Sequence, residues 1–204
     1  MSAFLGPIHY WLYNKIIRQQ QLVEELFSLG KEQGMDLEAE CQAIYGSFEK
    51  KPLEEMIDHY NIHGWLQERV SQVEYQYAYC ITRLIKSNSD IHKTLISIHK
   101  SNGTKLALML KEKNPNAIGI FKAISDNLLD GMPCDHANRV LEQSEDKIVW
   151  QKDLCVHSSY WNEVGGDVKL YYDLRDAWLM GLANELGFSL ERPDEKTYCI
   201  KRLV

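Results

Sequence analysis

Sulfur and imidazole crowd one short stretch of the chain. Between Asp130 and His157 it reads Asp130-Gly131-Met132-Pro133-Cys134-Asp135-His136 and then, past a linking segment, Cys155-Val156-His157, which places two Cys-x-His pairs in one segment. A thiolate and an imidazole act as nucleophile, proton acceptor or metal ligand according to their surroundings. If the pairs converge, Cys134, His136, Cys155 and His157 form a Cys₂His₂ set for a zinc ion, or a softer site for iron. Without a metal the same atoms suit hydrolysis. Cys155 would be the thiolate, His157 its base two positions along an extended segment, and Asp176 the group that orients a base or binds an amine. Cys134, after Pro133 and near a helix start, is a second thiol that a helix dipole could activate. Asp135, His136, Tyr160 and Trp178 would contact substrate, and Trp150, Tyr160, Trp161 and Trp178 suit the lining of a pocket for an aromatic or heterocyclic ligand. The plainer reading of the same residues is structural: Cys155 and Cys199 buried in a small sheet, His136 and His157 capping helices.

A second histidine pair, His59 and His63, stands one helical turn apart, the spacing of two metal ligands. Tyr60 occupies the position where a metalloprotease His-Glu-x-x-His motif needs glutamate, and Asn61 with Gly64 marks a helix boundary between the histidines. Glu68 and Glu74 could point inward as carboxylates do in di-iron bundles, although the chain carries no Glu-x-x-His pair on two helices.

The elements that must hold these groups are mostly helical. Pro7 opens a helix whose apolar positions Ile8, Trp11, Leu12, Ile16, Leu22, Val23 and Leu26 recur at three and four residue steps to about Gly30. Asp36 caps a short helix through Tyr45, and Pro52 with Glu54 and Glu55 starts another. Asn61 caps the clearest helix, Ile62 to Lys86, expected at the centre of the core. Further helical stretches begin at Ile91, with a turn or kink expected at Asn102-Gly103, and at Ile118. The character changes near Asp146. Lys147 to Leu154, Phe188 to Arg192 and Thr197 to Leu203 read as strands, separated by helices at Ser158 to Val164 and after Gly165-Gly166-Asp167. The expected fold is α+β and predominantly α: an antiparallel helical bundle with a C-terminal three-stranded antiparallel sheet. A single domain over 1–204 is expected, with residues 1–145 as the bundle and 146–204 as a small α+β part packed on it.

Composition narrows the function classes. At 204 residues and 45% hydrophobic, the chain can bury a substantial core. A net charge of −6 with its 23 Lys and Arg scattered gives no footprint for nucleic acid. No positive n-region or long apolar run marks a signal or membrane span, so a cytoplasmic protein with no membrane partner is expected. Five widely spaced cysteines, with no Cys-x-x-Cys pair, argue for reduced thiols rather than a disulfide framework. Tyr10, Trp11 and Tyr13 on the first helix could serve as a homodimer interface.

Roughly the last 60 residues resemble the bacterial L-2-amino-thiazoline-4-carboxylic acid hydrolase-like family. The resemblance rests on Cys155 with Tyr160 on the next helix, Gly166-Asp167, Asp173 and Asp176 before Trp178, and a closing hairpin carrying Cys199. Tyr171-Tyr172 stands where the family pattern has a cysteine. The resemblance implies a hydrolase acting on a carbon–nitrogen bond of a small polar nitrogen- or sulfur-containing compound, through a Cys/His site at the junction of helices and sheet. The other function class is a non-enzymatic sensor that binds a metal, haem or small ligand.

Overall fold

The computed structural model describes residues 4–203; Met1 to Ala3, the start of the segment read above for a signal, and Val204 lie outside the described residues. The fold is α+β and mostly helical, with eight α-helices and one four-stranded antiparallel sheet among the described residues. In chain order the elements are α1 (Pro7–Glu32), α2 (Leu37–Tyr45), α3 (Leu53–Met56), α4 (Ile62–Ser87), α5 (Ile91–Leu110), α6 (Ala117–Asn127), β1 (Asn138–Gln143), β2 (Lys147–Lys152), α7 (Ser158–Glu163), α8 (Val168–Glu185), β3 (Phe188–Glu191) and β4 (Thr197–Arg202). They form two compact units, each made of three separate stretches. The first comprises residues 1–88, 126–135 and 157–167; the second comprises 89–125, 136–156 and 168–204.

In the first unit, local signals set the helix limits. The Asp36 carboxylate accepts the Ala39 N–H and the Asn61 side chain accepts that of Gly64, each satisfying an amide that has no intrahelical partner. Helix α1 packs along α4, burying Leu12, Tyr13 and Ile16 against Ile62, Leu66, Val70 and Val73. Residues Leu53, Ile57 and Leu129 close the same cluster. Helix α2 docks on α4 through polar anchors at its end: Gln72 Nε2 donates to the carbonyls of Tyr45, Gly46 and Ser47, and Gln76 Nε2 to that of Gly46.

The second unit is built on α5, α8 and the sheet, in strand order β1-β2-β4-β3. Strand β1 is the element missing from the sequence reading, which expected three strands. It escapes the pattern because it is an edge strand with five of its six residues exposed, so no alternation of apolar and polar positions marks it. A bulge between Val140 and Glu142 further breaks its register against β2. The kink expected at Asn102-Gly103 is also absent, since α5 runs unbroken through Gly103. Packing explains the glycine. A Cβ at Gly103 would sit 2.0 Å from the Trp178 carbonyl oxygen of α8, and one at Gly181 would sit 2.1 Å from the Lys100 carbonyl of α5. The two backbones approach more closely than any side chain allows, and Trp178 Nε1 donates to Asn102 Oδ1 at 2.9 Å beside the contact.

Candidate functional site around Cys155

The parity of β2 decides which side chains reach the second unit's interior. Ile148 and Trp150 are fully buried, and Lys152, two residues on, continues the same face of the strand. Trp150 stacks on its cross-strand partner Tyr198, with ring centroids 5.0 Å apart and planes 9° from parallel. Lys152 Nζ lies 3.4 Å from the centroid of the Tyr172 ring. Tyr172 comes from α8, and its hydroxyl donates to Cys155 Sγ at 3.1 Å. One turn along α8, Asp176 receives Arg192 Nη1 at 2.5 Å, and the Arg192 guanidinium lies 4.1 Å from the Tyr198 ring centroid. Arg175 is buried on the neighbouring stripe of α8 and donates to Tyr171 Oη at 3.2 Å. One half-buried thiol, three basic side chains and four aromatic rings thus gather in one part of the second unit.

The electrostatics follow from burial and neighbours. Burial holds Lys152 below the ordinary lysine range; Cys155 opposes the shift, and Arg192 and Arg175 add to it. Burial raises the Asp176 carboxyl, with Arg192 pulling against it. Tyr172 is raised well beyond the usual phenol range, by burial first and then by its bond to Cys155, so it stays a hydrogen-bond donor.

A second polar cluster occupies the first unit. His157, fully buried, places Nδ1 3.0 Å from Glu74 Oε2 of α4 and Nε2 3.6 Å from Asp130 Oδ1. Although burial disfavours its charge, the two carboxylates win, and the imidazole is raised to about 9. At neutral pH it is an imidazolium held between two acids. Glu74 occupies a position of the apolar stripe of α4, between Val70 and Tyr77; a carboxylate in such a stripe is the signal that singles it out, and Glu68, on the same helix, is instead exposed.

The residues named from sequence fall as follows. Cys134 and His157 belong to the first unit, and His136 and Cys155 to the second. Cys134 is exposed in a single 3-10 turn, Pro133–Asp135, which is too short to supply the helix dipole expected to activate it. Asp135 caps its own turn by accepting the Met132 N–H at 2.8 Å. His136 is exposed, in the left-handed region at φ 49°. Tyr160 bonds Ser71 at 3.2 Å and packs edge-on to Tyr75 in the first unit. Trp161, fully buried, is in that unit too, whereas Trp150 and Trp178 are core residues of the second. Cys199 is buried in β4, as the structural reading had it. His59 lies in the turn before α4 and His63 inside its first turn, so no helix face carries both; His63 Nε2 instead meets His9 Nε2 at 3.4 Å. Among the described residues no group of three or more His, Cys, Asp and Glu side chains is arranged to hold a metal ion. Sequence reasoning passed over Lys152, Tyr172, Arg175 and Arg192. The first of these was legible as the continuation of a buried strand face.

The chain matches no protein-family model, no curated protein and no solved structure. Among the described residues no helix is long and apolar enough to cross a membrane.

Proposed function

We propose that the second unit carries a thiol-dependent hydrolytic site for a small anionic compound containing nitrogen or sulfur, with Cys155 as nucleophile. The hydrogen bond from Tyr172 to Cys155 Sγ carries the reading, because donation to sulfur favours thiolate over thiol. Lys152, held below the usual lysine range, accepts the thiol proton. The sulfur attacks an electrophilic carbon of the substrate, forming a C–S bond while the C–N bond breaks, and the Lys152 ammonium returns its proton to the departing nitrogen. Water then cleaves the acyl–sulfur bond and restores the thiol. Arg175 and Arg192 provide positive charge for a substrate carboxylate, with Asp176 fixing Arg192. In this scheme Lys152 replaces His157 as the base, since both His157 ring nitrogens face carboxylates. The resemblance of the C-terminal residues to the thiazoline-carboxylate hydrolase-like family supports the same substrate class. Cytoplasmic location fits five cysteines that form no disulfide among the described residues.

The test compares thiols within one protein. Iodoacetamide alkylation followed by mass spectrometry should modify Cys155 faster than the exposed Cys134 at pH 7, despite its lower exposure. Turnover on a panel of thiazoline and amide carboxylates should fall roughly a thousand-fold in Cys155→Ala and in Lys152→Met. A Cys155→Ala protein as active as wild type refutes the nucleophile. Binding of the panel without turnover would leave only a ligand-binding module.

A further inference from the structure

Cys41 of α2 and Cys80 of α4, both fully buried in the first unit, hold their Sγ atoms 3.6 Å apart. The pair is remote in sequence and its register is fixed from both sides. Towards the C-terminal end of α2, the Gln72 and Gln76 amides grip the carbonyls of Tyr45, Gly46 and Ser47. Next to Cys41, the Glu40 carboxylate takes Tyr79 Oη at 2.7 Å and Arg83 through Nε at 3.0 Å and Nη2 at 3.2 Å. Tyr79 flanks Cys80 as Glu40 flanks Cys41, so the same clamp that seats α2 on α4 aims one sulfur at the other.

We propose that Cys41 and Cys80 are a redox pair that closes into an intramolecular disulfide linking α2 to α4. A covalent S–S bond is about 2.05 Å long, so the closed form differs from the reduced one by side-chain rotation over about 1.5 Å, with the helix partners the same in both. The oxidant is a small disulfide such as oxidised glutathione. One cysteine attacks it as thiolate, forming a mixed disulfide and releasing one glutathione thiol; the second attacks the mixed disulfide and releases the other. Two S–H bonds are lost, one protein S–S bond is formed, and the two electrons reside in the two glutathione thiols.

Burial sets the rate. Contact with Cys41 and desolvation hold the Cys80 thiol well above its ordinary range, and both sulfurs are shut away from solvent, so a dissolved oxidant reaches them only when the short helix α2 opens. The closed bond is then shielded from reductant by the same burial. This device is independent of the Cys155 chemistry and lies in the other unit.

The experiment equilibrates the intact protein in glutathione buffers of stepped redox ratio, blocks thiols with N-ethylmaleimide under denaturing acid quench, and maps peptides. The expected result is loss of two of the five thiols, a Cys41–Cys80 peptide pair in the monomer, and a Tm higher by roughly 5–15 °C than that of the reduced protein. Cys41→Ser and Cys80→Ala should each abolish both the linked peptide and the Tm rise. Retention of five thiols at every ratio overturns the proposal, as does a linkage involving Cys134, Cys155 or Cys199 in its place. Should the serine variant fail to fold, the wild-type peptide map alone decides.

Discussion

His157 Nδ1 lies 3.0 Å from Glu74 Oε2, in a site where each side chain is 2% exposed. A charge pair removed this far from water is weak evidence of net stabilisation, but losing one member strands the other. Glu74→Ala should therefore cost the first unit about 3–5 kcal/mol, read as a lower urea midpoint. Glu74→Gln, which keeps a hydrogen-bond acceptor for the ring, should cost less. Equal loss in both variants would show that packing, not charge, is what Glu74 provides.

The two most buried titrating histidines give the two units opposite pH responses. The folded-state value of His157 is raised to about 9, so its contribution, on the order of 3 kcal/mol, is complete below about pH 6.5 and lost as pH rises through about 9. His99, in the second unit, places Nδ1 2.7 Å from the Leu95 carbonyl and is lowered by burial to about 4. The unfolded chain binds that proton below about pH 6.5 while the folded one refuses it until about 4, so the second unit weakens across that acid window. Hydrogen exchange followed unit by unit should show protection falling with alkali in residues 62–87 and with acid in residues 91–110. His99→Gln should flatten only the acid limb.

Tyr172→Phe deletes the donor to Cys155 while keeping the ring under Lys152. One hydrogen bond of ordinary strength is worth about 1 kcal/mol, so alkylation of Cys155 at pH 7 should slow about five-fold with little change in Tm. An unchanged rate would mean that the phenol does not tune the sulfur.

Gly103→Ala and Gly181→Ala each drive a methyl group to about 2 Å from a backbone carbonyl of the facing helix. Each should destabilise the second unit by about 3 kcal/mol or more, beyond the usual 1–3 kcal/mol for overpacking, because backbone cannot rotate away as a side chain can. Gly34→Ala is the control: its φ of 75° carries local strain, but nothing lies within 4 Å of its Cβ position.

What the sequence disclosed is what short-range chemistry decides. Asp36, Asn61 and Pro7 announce helix starts through groups within three residues, and the α4 stripe repeats for more than six turns, so both could be read without knowing the fold. Strand β1 is invisible for the converse reason: its hydrogen-bonding partner, not its own pattern, makes it a strand. Asn102-Gly103 reads locally as a turn or kink because the partner that requires the glycine, Trp178, is 75 positions away. The candidate site shows the same divide. Cys155 and Asp176 stand out as residue types, whereas Tyr172, Arg175 and Arg192 acquire meaning only once α8 and the closing hairpin bring them beside β2.

The interleaving of the units bears on how the protein is made. The chain passes from one unit to the other after residues 88, 125, 135, 156 and 167. Each Cys-x-His pair straddles one of these passages. During synthesis, α1 to α4 emerge early, yet the imidazole that sits opposite Glu74 arrives 83 residues later. Until that residue is made the buried pair cannot form, and no contiguous stretch of the chain comprises one unit alone.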